Sequence, residues 1–251
     1  MLLLIDAGNT RIKWATLERD RNIAQWSASG SVPHAGLASL AQQWQPFKVQ
    51  DILISNVAGE RIAAQLTELC AQLQTDSEAV RLQWFQSKAQ CAGVHNGYRH
   101  PRQLGSDRFA SLIGARHLFA QQSLLVVTCG TATTIDALDA AGNFAGGMIL
   151  PGLATMAASL AVNTAQLPAV SDVQLTQLFA DNTQDAIVSG CISAQVGAIS
   201  RALAQCEGPT VRCILSGGAA TFIAPHLPFS CTLLENLVLT GLAVSARTGD
   251  A

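Results

Sequence analysis

The sequence predicts an α/β protein built from two related halves, and three observations predict it. Residues 2–17 read LLLIDAGNTRIKWATL and residues 123–138 read SLLVVTCGTATTIDAL, so one pattern occurs twice. Each copy is an apolar β-rich run, a tight turn of small residues, and a second run of apolar character. After each copy, short apolar strands alternate with stretches of helical spacing, the rhythm of a mixed sheet with helices. The chain has 251 residues, 49% of them hydrophobic and 13% charged, which is ample for a buried core and sparing with solvated surface. That balance predicts that a partner covers some apolar surface, as in an oligomer.

Residues 2–17 are expected to form a hairpin, and Ile23 to Ser31 a further short strand. Leu37, Leu40, Ala41 and Trp44 fall at helical spacing, which predicts an amphipathic helix from Gly36 to Phe47, ended near Pro46. DILISNV (51–57) is a nearly continuous apolar run, as in a strand buried on both faces. Ile62, Leu66, Leu69 and Leu73 then place a helix over Ala58 to Leu73. Residues 86–107 carry Gly93, Gly97, Pro101 and Gly105 and read as a long loop, which in a compact domain is usually functional. A helix over Asp107 to Ala120 leads into the second hairpin at Ser123. Ala145 to Gly152 reads as a glycine-rich turn before an alanine-rich helix from Leu153, and another helix spans about Asp185 to Cys206. VRCILSGGAA (211–220) is a strand running into a glycine pair, and Glu235-Asn236-Leu237 opens a last helix. No low-complexity linker divides the halves, so residues 1–117 and 118–251 are expected to meet at a cleft.

Composition excludes several function classes. The formal net charge is -2 and no Lys/Arg block occurs, which argues against nucleic-acid binding. Cys70, Cys91, Cys129, Cys191, Cys206, Cys213 and Cys231 are scattered and never form a C-x-x-C pair, so they read as core thiols in a reducing cytosol. The N-terminal apolar run is too short for a secretory signal, and no stretch approaches about 20 uninterrupted apolar residues. A cytoplasmic protein without membrane contact is expected. His34, His95, His100, His117 and His226 lack ligand spacing. Neither G-x-x-x-x-G-K-[ST], nor G-x-G-x-x-G after a strand, nor G-x-S-x-G is present.

The chemistry concentrates in two turns and one loop. Asp6 ends the first strand before Gly8-Asn9-Thr10, where a carboxylate can hold Mg²⁺ while turn amides and the Thr10 hydroxyl meet phosphate oxygens. Lys13, on the returning strand, adds to the phosphate field. An Asp also commonly caps a tight turn; the second copy, with Thr131, Thr133 and Asp136, favours phosphate binding. Gly105 allows close approach to a ligand. Asp107 can take a proton from a hydroxyl nucleophile, and Arg108 can grip a carboxylate through two parallel hydrogen bonds. The same Asp can simply oppose a helix dipole. Ser216-Gly217-Gly218 is small enough to pass under an adenine ring and equally fits a plain strand-to-helix turn.

Taken together, Asp6-Ala7-Gly8-Asn9-Thr10-Arg11-Ile12-Lys13, Tyr98…Pro101…Leu104-Gly105-Ser106-Asp107-Arg108, Gly130-Thr131-Ala132-Thr133-Thr134-Ile135-Asp136 and Gly146 to Gly152 resemble the motifs of the type III pantothenate kinase family, in order from residue 2 to about 220. The resemblance implies two ribonuclease-H-like domains of the actin, sugar-kinase and heat-shock-chaperone ATPase superfamily, with the active site in the interdomain cleft, usually as a homodimer. It implies transfer of the γ-phosphoryl of ATP to pantothenate, giving 4′-phosphopantothenate on the route to coenzyme A. ATP contacts fall on Asp6 to Lys13 and on Gly130 and Thr131, the general base on Asp107, and pantothenate contacts on Tyr98, Gly105, Ser106, Asp107, Arg108 and Thr183. The metal carboxylates fall on Asp6 and Asp136.

One position departs from the family. Many members carry Asp two residues before the second-motif glycine, where it binds a monovalent cation; here Thr128 stands there. A neutral hydroxyl is a poorer cation ligand, so weaker dependence on K⁺ or NH₄⁺ is expected. Two other readings stay open at this level: a kinase for another small hydroxyl compound, and a nucleotide-binding transcriptional accessory protein. The Tyr98 to Arg108 loop speaks against the first, and the three carboxylates Asp6, Asp107 and Asp136 against the second.

Overall fold

The structure, a computed structural model, describes residues 1–73, 80–163, 177–206 and 210–249. It divides into two compact units. The first comprises residues 1–120, 142–144 and 236–251, and the second residues 121–141 and 145–235.

The first unit contains β1 (Leu2–Ala7), β2 (Arg11–Leu17), β3 (Ala28–Pro33), α1 (Leu40–Trp44), β4 (Asp51–Asn56), α2 (Glu60–Ala71), β5 (Arg81–Trp84), β6 (Gln90–Cys91), β7 (Val94–Asn96), α3 (Ser106–Leu118) and a C-terminal helix (Leu237–Thr248). Its main sheet runs β3-β2-β1-β4-β5. β1 pairs antiparallel with β2 and parallel with β4. Both faces of β1 are apolar because both are covered. Leu3, Ile5 and Ala7 join Ile52 and Ile54 against Leu40 and Trp44 of α1 and Ile62 and Leu66 of α2. The opposite face, with the fully buried Leu4, lies under α3 and the C-terminal helix. Those two helices touch at backbone level: a Cβ at Gly114 would stand 2.5 Å from the Leu237 carbonyl, and one at Gly241 would run into Ala110.

The first hairpin forms as expected. The strand after it is shorter and later, Ala28–Pro33, because Ala24 turns the chain at φ 68°. The predicted helix over Gly36 to Phe47 is a 3₁₀ segment, His34–Ser39, running into the short α1; its apolar spacing still buries Leu37, Leu40 and Trp44. The long loop contains short regular pieces that its glycines conceal. β6 and β7 form a small antiparallel pair, and Asn143 and Phe144 pair parallel with His95 and Asn96 of β7.

The second unit contains β8 (Ser123–Cys129), β9 (Ala132–Leu138), β10 (Asn143–Pro151, from Ala145 on), α4 (Leu153–Asn163), α5 (Thr183–Gln205), β11 (Val211–Ser216), a short helix (Ala220–Ile223) and β12 (Thr232–Leu233). The strands run β12-β11-β8-β9-β10. Ala145 to Pro151, expected as a turn, is strand instead. Hydrogen bonding to a neighbouring strand outweighs the weak β preference of its glycines, as strand propensity commonly yields to context. Leu125, Val127, Cys129, Ile135, Cys213 and Leu215 pack against Ile199 of α5. α5 is long and apolar enough by length and composition to cross a bilayer, but it carries Asp185 and Arg201 and packs Ile187, Val188, Cys191 and Ile192 against Leu153 and Ala157 of α4.

All seven cysteines are free thiols, five of them buried. Burial pushes Cys70, Cys129 and Cys213 up to about 12, as inert core thiols require.

Candidate active site

Asp6 stands one residue before the end of β1, with Lys13 as its antiparallel partner across the hairpin and Ser55 as its parallel partner on β4. Its carboxyl is raised from 3.8 to about 7, first by burial and then by the Asp107 carboxylate, with Lys13 opposing both. Asp107 is also raised, chiefly by burial; the backbone N–H of Arg108, 2.8 Å from Oδ1, and the Arg108 guanidinium pull it back down. The Arg108 amide and guanidinium thus favour the ionised form of Asp107, and the charge of that carboxylate is part of what raises Asp6.

The hairpin turn leaves Asn9 and Thr10 at the surface, closed by Gly8 N–H donating to Arg11 O at 3.1 Å. Gly8 lies outside the left-handed region, as does Gly130 of the second turn, so these glycines serve by their bare backbone rather than by unusual dihedrals. His34 Nε2 stands 2.8 Å from Gly8 O and pins the turn. Within Asp6 to Lys13, Ala7 and Ile12 are fully buried in the core, and the Arg11 guanidinium donates to the Ser31 hydroxyl at 2.9 Å.

The loop before α3 builds a second part of the site. Arg108 is 6% exposed and donates from Nη1 to the Tyr98 hydroxyl at 2.9 Å. Its guanidinium also lies 5.7 Å from the centre of the Tyr98 ring and 6.0 Å from that of Phe144, so cation–π attraction holds it. Asn96 fixes the loop at two points: Oδ1 accepts from Tyr98 N–H, and Nδ2 donates to Pro101 O. A Cβ at Gly105 would stand 2.6 Å from Asp107 Oδ1, so any side chain there would push the carboxylate aside. Ser106 starts α3 and its hydroxyl meets that of Ser55 at 2.8 Å.

In the second unit the Gly130-Thr131 turn is exposed and braced from behind. Gly152 N–H and the Thr155 hydroxyl both donate to Thr131 O, at 2.9 and 2.8 Å. A Cβ at Gly152 would overlap Gly130 O, and one at Gly217 would overlap Cys129 O. Three glycine-bearing segments far apart in sequence thus converge on one turn. Gly152 and Gly217 lie in motifs that the sequence flags, but their bracing role depends on a packing that no local pattern encodes.

The whole chain can now be compared with known proteins. A family model described as type III pantothenate kinase matches residues 2–205. The chain belongs to the type III pantothenate kinase family. A type III pantothenate kinase from Janthinobacterium sp. (strain Marseille) is 52% identical, covering 96% of each chain. One from Aromatoleum aromaticum is 45% identical, covering 100% of each. Among solved structures, a candidate 2-dehydro-3-deoxygalactonokinase from Sinorhizobium meliloti aligns over 99% of each chain at 15% identity with TM-score 0.63. A candidate Baf family transcriptional activator from Campylobacter jejuni covers 99% of this chain and 100% of its own, at 20% identity and TM-score 0.61. At such identities these structures speak for the fold alone. It is the two-domain fold of the actin, sugar-kinase and heat-shock-chaperone ATPases.

Against the motifs of the type III pantothenate kinases, the first unit brings Asp6, Lys13, Ser106, Asp107, Arg108 and Tyr98 into one neighbourhood. Asp136, 2% exposed, lies inside the second unit on β9, as the register partner of Val126. Thr183 opens α5 at the surface, beside the N-cap Asn182, whose Oδ1 accepts from Asp185 N–H. Thr128 pairs in register with Thr134, whose buried hydroxyl has no hydrogen-bond partner among the described residues. Phe144, Asn96 and Ser55 escape the motif reading; Ser55 alone carries a signal, as a polar residue ending an otherwise apolar strand.

Among the described residues no group of three or more His, Cys, Asp or Glu could cage a metal ion. The chemistry of the site nevertheless fits a hard divalent cation. Asp6 is an oxygen donor stripped of water beside a second carboxylate, and Mg²⁺ commonly takes one or two carboxylates plus waters and substrate phosphates.

Proposed function

We infer that this protein catalyses ATP-dependent phosphorylation of pantothenate to 4′-phosphopantothenate, an alcohol-group phosphotransfer in coenzyme A biosynthesis. Membership of the type III pantothenate kinase family, at 52% identity over 96% of the chain, is the observation that carries this reading. Kinases of this kind use ATP and a divalent cation; Mg²⁺ is the cation we propose. A bound cation offsets charge on the phosphates, and Asp6 is the first residue proposed to hold it, with Asp136 the second.

Asp107 is the proposed general base. It takes the proton of the primary hydroxyl of pantothenate as that oxygen attacks the γ-phosphorus and the bond to the β,γ-bridging oxygen breaks, releasing ADP. Ionisation of Asp107 at neutral pH is favoured by the Arg108 amide and guanidinium. Tyr98 and Arg108 form a preorganised clamp, already hydrogen-bonded to each other, suited to the polar end of a small carboxylate. Gly105 and Ser106 complete the substrate contacts, with Thr183 a further one. The turns Asp6 to Lys13 and Gly130-Thr131 are proposed as the phosphate contacts. Such a reaction asks for positioning and electrostatics rather than covalent work by the protein.

We propose a homodimer in the cytoplasm. An apolar groove of about 540 Å³ on the second unit, including Met156, Leu160, Thr183 and Ile187, supports a second copy as its cover. Ile149, Val162, Leu178 and Phe179 of the same unit are large apolar residues exposed to solvent.

The deciding experiment is ADP release with Mg-ATP, with and without pantothenate, in K⁺ and in Na⁺ buffer. Turnover that depends on pantothenate and is similar in both salts is expected, the second because Thr128 replaces the cation-binding Asp. ATP hydrolysis indifferent to pantothenate would overturn the acceptor, and a rate that collapses in Na⁺ would overturn the inference from Thr128.

A further inference from the structure

We propose that Ser55 is a positioning residue of the reaction, setting the place of Asp107 relative to Asp6 through its hydrogen bond to Ser106. The proposal rests on the assignment of Asp107 as general base.

The geometry follows from the strand pairing. β1 and β4 are parallel, and Asp6 and Ser55 are register partners, so their side chains leave the same face of the sheet. That is the face covered by α3, since Ile5 and Ile54, one residue earlier on each strand, belong to the opposite core. Ser55 is fully buried, and its hydroxyl lies 2.8 Å from that of Ser106. Ser106 is the first residue of α3, immediately before Asp107. The hydroxyl pair therefore ties the neighbour of one carboxylate to the neighbour of the other.

Such a tie has a task here. The two carboxylates repel each other within a water-poor pocket, and α3 can relieve this by moving its first turn away from β1. About a hundred residues separate Asp6 from Asp107 along the chain, so covalent connection does not restrain them. Gly105, which precedes Ser106, is bare of side chain; its carbonyl accepts the Phe109 N–H at 3.0 Å within α3 and the Ser87 hydroxyl at 3.3 Å, so neither bond ties Asp107 to β1 or β4. A neutral hydroxyl pair restrains the distance without cancelling either charge. A lysine at Ser55 would instead neutralise the carboxylates that the chemistry needs.

The test uses the full chain in steady-state assays with Mg-ATP and pantothenate. Wild-type turnover and its loss in Asp107→Asn establish first that the parent reading holds; failure there counts against the base and not against the strut. Then Ser55→Ala, Ser106→Ala and the double variant are compared. Ser55→Ala is expected to lower kcat about tenfold while both KM values stay within about twofold, the mark of misplacement rather than lost binding. The double variant is expected to have the kcat of Ser106→Ala alone. A kcat within twofold of wild type in Ser55→Ala would overturn the proposal, as would kcat losses that multiply in the double variant. If Ser55→Ala does not fold, Ser55→Cys takes its place: a lowered kcat at constant KM supports the strut, and a wild-type kcat overturns it.

Discussion

The substitution Asp6→Asn should stabilise the first unit at neutral and alkaline pH, at the expense of the reaction. The folded protein holds a proton on Asp6 up to about pH 7, whereas the unfolded chain releases it near 3.8. The stability this proton provides is complete below pH 3.8 and is lost as pH rises through 7. Moving a carboxyl from 3.8 to about 7 corresponds to about 4 kcal/mol once it is ionised on both sides of the equilibrium. Asn cannot ionise and escapes that cost, so the variant should be more stable than wild type by a few kcal/mol at pH 8. The gap should narrow towards pH 5. Mg²⁺ should stabilise wild type and leave the variant unchanged, because a cation on Asp6 offsets the same charge. Trp14, Trp26, Trp44 and Trp84 all lie in the first unit, so tryptophan fluorescence in a urea titration reports on the unit that carries Asp6. Equal midpoints for the two proteins at pH 8 and at pH 5 would refute the reasoning.

Two further substitutions probe the base. Asp107→Asn keeps the size of the side chain and removes proton acceptance, so kcat should fall by about 10²- to 10⁴-fold with a smaller change in the KM for pantothenate; near-normal turnover in the coupled assay would remove Asp107 from that role. Gly105→Ala places a methyl 2.6 Å from Asp107 Oδ1, which the carboxylate can relieve only by turning aside. A kcat loss on the order of 10- to 100-fold in a protein of near-wild-type melting temperature is expected, and an unchanged kcat would show that the carboxylate has room to yield.

Much of this protein is legible in the sequence because its information is local. The doubled hairpin announces itself through apolar runs and small turns, and LLLIDA and DILISN read as buried strands since both faces of each are covered. The motif residues Asp6, Asp107 and Gly130 stand next to the features that identify them: a strand end, a helix start, a glycine turn. Regular structure driven by partners rather than by its own composition is harder to read. Ala145 to Pro151 looks like a turn by its glycines and becomes a strand through hydrogen bonding to a neighbour. The amphipathic spacing around Leu40 and Trp44 correctly marks buried positions, yet the backbone there is partly 3₁₀.

The sequence by itself determined the α/β class and the two tight turns of small residues, and it singles out Asp107 as the proposed base, since each depends on residues within a few positions of one another. Only the tertiary structure decided what those groups feel. The raised carboxyl of Asp6 comes from burial and from Asp107, a hundred residues away. The clamp of Arg108 on Tyr98 needs Phe144 as its floor, and the Gly130 turn needs Gly152 and Gly217 behind it. The C-terminal helix joins the first unit through Gly241 against Ala110. Desolvation, repulsion and close packing act through space, and distance in space is set by the fold, not by position along the chain.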